Sequence, residues 1–530
     1  MVIENGLVVD GTGKPGFIGD VVIDGDRIVD VIPRGLPVGT MPTHSHGARE
    51  LARGETINAA GCIVSPGFID AHAHSDAYLV IEPDAPSKLS QGITTEINGQ
   101  CGGSVAPRYG EARLSSDWAS LLGERLTWRS LAEYRDVLAT AKPAINTIQF
   151  VGHNTLRSSV VGYAGRTATP DEMREMVRLL EKSLDEGGWG LTTGLIYQPG
   201  KYSTPEEVVT LAKAAAQRGG FYATHMRSEG DNIIEAIDEV LDLVKASGIR
   251  AEISHLKTSG KRNWHKIDAV LEKIEDAISA GLLLGSDRYP YCAAGTDLDV
   301  VFPDWAGEGA ARAECQRLAD PATRARIVAE INASGRDWSQ VMIGGTWHES
   351  NKHFSGRFVA DILDGMTPGE LVCQILEKDE CRTGAFFFGM SEDNLAKIYS
   401  RPWIVPGSDA SLRAPWGPLG ADHPHPRAYG TMPEFYRRVR ELGATREETI
   451  RRMTGAIAKR FEIRNRGVIE KGAFADIAIW REDEFASTAT YTNPHQFASG
   501  VKCVIVNGTN PYRDGNFTGH RSGRLLERCS

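Results

Sequence analysis

Apolar runs alternate with helical segments from about residue 62 to 460, and no other feature limits the possible folds so strongly. Eight candidate strands follow one another in this stretch, and several of the helices between them begin with a capping signal. In Thr169-Pro170-Asp171-Glu172, threonine precedes glutamate by three residues and proline takes the first helical position. Strand–helix repetition gives a parallel sheet, and eight repeats predict an α/β fold with a closed (β/α)8 barrel.

Two parts of the sequence depart from this alternation. Residues from about 296 to 395 contain helical pieces and a glycine-rich turn but no simple strand–helix unit, which predicts an insertion that covers the mouth of the barrel. Residues 1–61 and 462–530 are rich in short apolar runs and turn signals. We therefore expect the barrel to span residues 62–461 and the two chain ends to pair into one small β-sandwich domain.

Composition and charge exclude several classes of function. The 530 residues are 41% hydrophobic, carry a net charge of −10 and have a pI of about 5.8, so a basic surface for nucleic acid or anionic membranes is not expected. The N-terminus has no signal-peptide pattern, and no apolar run approaches ~18 residues. Eight scattered cysteines without a Cys-x-x-Cys pair fit a reduced, cytoplasmic protein.

Histidine, cysteine and aspartate residues stand at the ends of the predicted strands. His72 and His74 follow the first apolar run, and alternation along a strand directs both imidazoles to the same side. Functional groups of such barrels lie at the carboxyl ends of the strands, where two imidazoles can share one metal ion. The further candidates at strand ends are Cys101, His225, His255 and Asp409. Together the four histidines and Cys101 form a nitrogen and sulfur donor set that suits zinc.

Taken singly, each candidate also has an ordinary structural interpretation. A histidine can be a hydrogen-bonded core residue, a cysteine a buried thiol, and an aspartate a cap of the following turn. His44 and His46 fall in a predicted loop, residues 37–55, and are interpreted as solvent-exposed. The convergence of several donors on one end of the barrel, rather than any single residue, favours a metal site.

Several motifs make the chain resemble the amidohydrolase superfamily and, within it, the N-acyl-D-amino acid deacylases. The similarity covers most of the chain. The motif around His72-Ala73-His74 marks the superfamily broadly, and the others together are more specific. The motifs that carry the resemblance are Pro66–Asp76, Gly194–Tyr202, Thr224–Gly230, Ile253–Lys257, Tyr289-Pro290-Tyr291, Gly407-Ser408-Asp409 and His425–Thr431.

The resemblance implies zinc-dependent hydrolysis of small N-acyl-D-amino acids to a carboxylate and a free D-amino acid. It implies one tightly bound zinc ion, held by Cys101, His225 and His255. It also implies a second, weaker metal position that Cys101 can bridge, formed by His72, His74 and Asp409. Preference for the D configuration follows from the resemblance alone.

The resemblance also assigns roles in catalysis and substrate binding. Asp409 would be the catalytic acid and base. Tyr197, Lys257 and Tyr291 would bind the α-carboxylate and the amide region of the substrate, with help from Arg427. In the plainer interpretation, the lysine is a surface cation, the arginine a structural ion-pair partner, and the tyrosines are core residues.

Two other functions compete with this one. A cyclic amidase or dipeptidase of the same superfamily would carry a carboxylated lysine on the fourth strand, and residues 188–195 contain no lysine. A catalytically dead scaffold with the same fold would lack metal ligands, whereas all six predicted ligands are present.

The stretch after Tyr291 predicts a substrate preference. Residues 292–299 contain Asp297 and Asp299 but no arginine, and we expect this stretch to line the pocket for the substrate side chain. Like charges repel strongly in a poorly screened pocket. Acidic substrates such as N-acyl-D-glutamate should therefore be disfavoured.

Overall fold

Eight parallel strands form the centre of the molecule. The computed structural model describes residues 1–34, 54–114 and 116–528, and the predicted loop with His44 and His46 lies outside them. The barrel strands are Phe68–Asp70, Ile93–Asn98, Asn146–Gln149 with its continuation Val151–Gly152, Gly190–Gly194, Phe221–His225, Arg250–Ile253, Leu284–Arg288 and Ile404–Pro406. Each strand pairs in parallel with its neighbour in this order.

The barrel closes between its first and last strands. The backbone N–H of Ala71 donates to the carbonyl of Pro406 at 3.2 Å, and the N–H of Asp409 donates to the carbonyl of His72 at 2.8 Å. These contacts bring the two ends of the parallel sheet together, as a barrel requires. The predicted α/β barrel is therefore confirmed.

Amphipathic helices cover the outside of the barrel. Thr169 forms the predicted capping box with Glu172, and the helix that begins at Ile233 ends at Gly248, which has a φ of +68°. Their apolar faces pack into the large core that also surrounds the strands. The longer helices are Leu131–Ala141, His153–Val160, Pro170–Asp185, Pro205–Gln217, Ile233–Ser247, Ile267–Ser279, Glu392–Tyr399, Arg427–Glu441 and Arg446–Met453. The short ones are Tyr78–Ile81, Pro86–Leu89, Ser116–Leu122 and Gly455–Arg460.

The two ends of the chain form one continuous sheet, which has nine strands among the described residues. Ile63–Pro66 from the N-terminal part pairs antiparallel with Ile477–Trp480 from the C-terminal part. Side chains from both parts, such as Ile3 and Ile505, share one apolar core. The remaining strands are Val2–Val8, Phe17–Asp24, Arg27–Pro33, Thr56–Asn58, Val501–Val506, Thr509–Arg513 and Asn516–Phe517. The boundaries expected at residues 61 and 461 stay predictions.

The chain segment that connects the seventh and eighth barrel strands forms a separate layer. Its three antiparallel strands are Ala294–Asp297, Val341–Ile343 and Gly384–Phe387, and its helices are Asp304–Gly307, Ala310–Ala319, Pro321–Ala333 and Pro368–Lys378. The layer has its own apolar core, which includes Leu298, Ile327 and Leu371. Its residues line a cavity of about 1610 Å³ together with the mouth of the barrel. Within the described residues, every helix is too short or too polar to cross a lipid bilayer.

A fully buried charge cluster joins the first, second and eighth barrel strands. The Lys88 ammonium lies 2.9 Å from Asp70 Oδ2 and 3.4 Å from Glu96 Oε2, and all three side chains are inaccessible to solvent. The same ammonium donates to the Ser408 hydroxyl, and the Ser408 N–H donates to Asp70 Oδ1 at 2.8 Å. The cluster thus holds together the two backbone segments that carry His72 and Asp409.

Replacing Lys88 by methionine is expected to destabilise the protein by about 3–5 kcal/mol, because Asp70 and Glu96 would stay buried without a counter-charge. Urea unfolding of the two proteins measures the difference. Lys245→Met, which removes an exposed lysine 3.4 Å from Asp242, is the matched control and should change stability by less than about 1 kcal/mol. Equal losses for both variants would contradict the structural role of the cluster.

Candidate metal centre

The predicted donor residues meet at the carboxyl end of the barrel. Each follows or ends a different strand, apart from His72 and His74, which both follow the first one. Cys101, His255 and Asp409 have positive φ values of 52°, 38° and 49°, a backbone region that non-glycine residues rarely occupy. Such conformations concentrate at functional sites, where they direct a side chain that a regular strand would carry elsewhere.

The donor atoms form two groups that share one thiol. Within each group all the atoms lie within 4.8 Å of one another. The first group contains His72, His74, Cys101 and Asp409, and the second contains Cys101, His225 and His255. Cys101 Sγ is 3.3 Å from His72 Nε2 and 3.4 Å from His255 Nε2. The structure therefore brings together all six residues that the sequence analysis singled out as ligands.

His225 shows most clearly that these residues fit a metal ion. Both of its ring nitrogens are buried, and neither has a hydrogen-bond partner of acceptable geometry among the described residues. The Glu229 carboxylate is 3.6 Å from Nε2, beyond hydrogen-bond range. Buried polar groups are almost always satisfied, so an orphaned imidazole next to a thiol and a second imidazole fits a metal ligand better than a core histidine.

Electrostatics keeps two of the donors in their anionic forms. Burial alone would raise the pKa of the Cys101 thiol, but the neighbouring imidazoles of His72 and His255 lower it well below its usual value. Burial likewise opposes ionisation of Asp409, yet the Arg427 guanidinium holds the pKa of this carboxyl well below its usual range. Thiolate and carboxylate are the forms that bind divalent metals.

Two carboxylates behind the donors orient them, and the sequence analysis missed both. Asp287 Oδ2 lies 3.2 Å from His72 Nδ1, and Asp287 Oδ1 accepts the backbone N–H of His255 at 3.0 Å. Glu229 Oε1 lies 2.9 Å from His255 Nδ1. Carboxylates in this position fix the tautomer and the ring orientation of ligating histidines. Asp287 lies near the end of a strand, as the ligands do, and this position is the sequence signal that could have identified it.

The residues predicted to bind substrate divide into two pairs. Tyr197 and Arg427 line the cavity, and the Tyr197 ring lies 5.0 Å from that of His225. Lys257 lies behind the donors, where its ammonium is 2.5 Å from Glu229 Oε1 and 2.8 Å from His255 Nδ1. The Tyr291 hydroxyl lies against Gly430 instead, where an added Cβ would stand 2.5 Å from it.

Tyr289, which the sequence analysis quoted only as part of a motif, lies at the centre instead. The centroid of its ring is 6.5 Å from the ring centroid of His255 and 4.6 Å from the guanidinium carbon of Arg427. Its hydroxyl is buried without a hydrogen-bond partner among the described residues. Burial alone would raise the pKa of Tyr289, but the charges of Lys257, Arg288 and Arg427 bring it below its usual value.

Arg427 connects the centre to the wall of the cavity. Its Nη1 donates to Asp409 Oδ2 at 2.6 Å, and its Nη2 donates to the carbonyl of Gly295 at 3.2 Å. The guanidinium group also lies over the ring of Tyr289. A planar cation in this position can both orient a carboxylate and fix a substrate anion.

Comparison with known proteins gives this geometry its context. The family model described as Amidohydrolase family matches residues 55–510. A D-aminoacylase from Alcaligenes xylosoxydans xylosoxydans is 31% identical to this chain, with 100% of the chain and 98% of the relative covered. The chain belongs to the amidohydrolase family. This membership confirms the resemblance inferred from the sequence motifs.

Two further relatives of this amidohydrolase are informative. An N-acyl-D-glutamate deacylase from Alcaligenes xylosoxydans xylosoxydans is also 31% identical, over 100% of this chain and 96% of the relative. The crystal structure of an N-acyl-D-glutamate deacylase from Bordetella bronchiseptica, complexed with zinc and a phosphonate inhibitor, superimposes with a TM-score of 0.80. Its sequence is 30% identical, and 99% of each chain is covered. Equal identity to relatives named for different substrates leaves the substrate to be argued from the cavity.

Proposed function

We propose that this amidohydrolase is a zinc-dependent N-acyl-D-amino acid deacylase, which hydrolyses its substrate to a carboxylate and a free D-amino acid. The observation that carries the proposal is the position of Cys101, whose thiol belongs to both donor groups. Full-length similarity to a D-aminoacylase and to an N-acyl-D-glutamate deacylase supports the reaction and its stereochemistry.

In this proposal, Cys101, His225 and His255 hold a tightly bound zinc ion. His72, His74 and Asp409 would form a second, weaker metal position, to which Cys101 would also contribute because it belongs to both donor groups. The mixed thiolate and imidazole set is typical of zinc, and the orphaned nitrogens of His225 support it. Zinc bound in such a site lowers the pKa of water toward ~7 and polarises the scissile carbonyl.

Asp409 is assigned the transfer of the proton. Its Oδ2 is held by Arg427, and its Oδ1 lies 3.0 Å from His74 Nε2, so the carboxylate is fixed at the centre. In its anionic form it accepts a proton from the attacking water, and it then donates that proton to the amide nitrogen as the amine leaves. Because Arg427 lowers the pKa of Asp409, the carboxyl is ionised and carries no proton before the water attacks.

Substrate binding is assigned to residues that line the cavity or face the centre. Arg427 would hold the α-carboxylate, and Tyr197 would contact the amide region. We assign to Tyr289 the role that the sequence predicted for Tyr291, because the Tyr289 ring lies near both His255 and Arg427. The direct role of Lys257 stays a prediction, since its ammonium is engaged by Glu229.

The proposal is tested by comparing N-acetyl-D- with N-acetyl-L-amino acids across several side chains, with zinc measured on the same preparation. We expect turnover of the D compounds only and about one tightly bound zinc ion per chain. A cyclic amidase would instead hydrolyse a hydantoin, and a scaffold would purify without zinc. The fourth barrel strand, Gly190–Gly194, contains no lysine that could be carboxylated to bridge two metals.

A further inference from the structure

A pair of carboxyl groups lies in the cavity wall away from the metal centre. Asp299 and Glu314 both line the cavity, and the charge of Glu314 is close enough to raise the pKa of Asp299. Glu314 is only 4% exposed, and its Oε2 has no hydrogen-bond partner in the part of the chain that the structure describes. The exposed Asp297 lines the same wall. A buried carboxylate oxygen without a partner is costly and marks a place where a cation would bind.

The arginines near this pair are engaged elsewhere. Arg317 Nη1 donates to the backbone carbonyls of Ala306 and Glu308, and Arg382 stacks on Trp347 at 4.7 Å. Among the described residues, no ion pair joins Asp299 or Glu314 to an arginine or a lysine. Arg317 lowers the pKa of Glu314 through its charge without forming an ion pair with it, so the described residues compensate the charge of the pair only in part.

The protonation of the pair reflects this incomplete compensation. Burial, with a smaller contribution from the Asp297 carboxyl, raises the pKa of Glu314 to about 7. Burial and the neighbouring Glu314 likewise raise the pKa of Asp299 well above its usual value. Two carboxyls in contact share a proton when no cation is near, because both cannot ionise at low cost. A cation between them would replace that proton.

One strand connects the pair to the substrate anchor. In Ala294–Asp297, the carbonyl of Gly295 accepts from Arg427, and Thr296 lines the same cavity as Tyr197. The chain then continues directly into the short helix Leu298–Val301, which carries Asp299. A substrate whose α-carboxylate binds Arg427 would therefore extend its side chain along this strand toward the pair.

We propose that Asp299 and Glu314 form a subsite for a cationic substrate side chain, so that the preferred substrates are N-acyl derivatives of D-lysine or D-arginine. The inference rests on the proposed deacylase function and adds the chemical class of the side chain. A lysine ammonium on its flexible four-carbon stem donates three hydrogen bonds, which suits two adjacent carboxylates. It also extends the expectation that acidic side chains are disfavoured.

The decisive comparison uses N-acetyl-D-lysine, N-acetyl-D-norleucine and N-acetyl-D-glutamate. Norleucine matches the aliphatic stem of lysine but lacks the ammonium. The kcat/KM for the lysine compound should exceed that for the norleucine compound by about ten- to a hundredfold, as a charge-assisted interaction allows. The glutamate compound should be the slowest. Failure to hydrolyse any of the three would refute the deacylase function, whereas hydrolysis of norleucine at least as fast as lysine would refute only the subsite.

Two conservative variants locate the effect. Glu314→Gln and Asp299→Asn should each reduce the preference for lysine over norleucine by about tenfold, while kcat/KM for norleucine stays nearly unchanged. Asp304→Asn is the matched control, because this carboxylate lines the same cavity but its side chain is 97% exposed. An unchanged preference in both folded variants would assign the selectivity to other residues and overturn the proposal. Circular dichroism and retained norleucine turnover establish that each variant is folded.

Discussion

Cys101→Ala should lose both its tightly bound zinc and its activity. The thiol is the only donor common to the two groups, and it lies within 3.4 Å of imidazole nitrogens from both of them. Alanine removes a thiolate ligand and also leaves the surrounding imidazoles without their shared anionic partner. We expect kcat/KM to fall by at least about a thousandfold, which corresponds to about 4 kcal/mol of transition-state stabilisation. Zinc content by atomic emission and turnover of an N-acetyl-D-amino acid measure the two losses on one sample.

A second cysteine provides the control for this variant. Cys373 is fully buried in the core of the helical layer and lies in the helix Pro368–Lys378. Cys373→Ala should lower stability by creating a small cavity, but it should keep zinc and turnover. Full zinc content and full activity in Cys101→Ala would remove the basis of the proposed metal centre.

The barrel and the set of donors could be predicted because both depend on local patterns. Hydrophobic alternation and helix caps such as Thr169-Glu172 mark each strand–helix unit. In a barrel the carboxyl ends of all strands meet on one face, so strand-end residues far apart in sequence, such as His72 and His255, are brought together by topology alone. No knowledge of individual contacts is needed for that step.

The residues around the donors could not be predicted in the same way. The seventh strand ends at Arg288, three residues before Tyr291. Tyr289 and Tyr291 would share a face if the strand continued, but beyond its end the chain turns and the two rings separate. Tyr289 then lies beside His255, and Tyr291 lies against Gly430. The alternation of side chains along a strand therefore could not decide between these two tyrosines.

Long-range pairs were also beyond the reach of local patterns. Asp287 approaches His72 across 215 positions of sequence, and Ile63 pairs with Trp480 in the terminal sheet. Such contacts depend on the register and packing of elements that no short window contains. The acidic pair in the cavity wall belongs to this class, because Asp299 was noted in the sequence but its partner Glu314 was not.

Asp409→Asn should separate metal binding from catalysis. The amide has the same shape as the carboxylate, and Asp409 belongs to the first donor group only, so Cys101, His225 and His255 should keep their zinc ion. Turnover should nevertheless fall by about 10²–10⁴-fold, because an amide cannot accept and return a proton. Single-turnover and steady-state assays, with zinc measured alongside, test both parts.

Asp422→Asn changes another carboxylate of the cavity, which is paired with Arg413 at 2.9 Å. It should alter kcat/KM by less than about fivefold, since a partly exposed ion pair contributes at most ~1 kcal/mol. Wild-type turnover in Asp409→Asn would show that another group transfers the proton, and loss of all zinc would show that Asp409 supports the tight site as well.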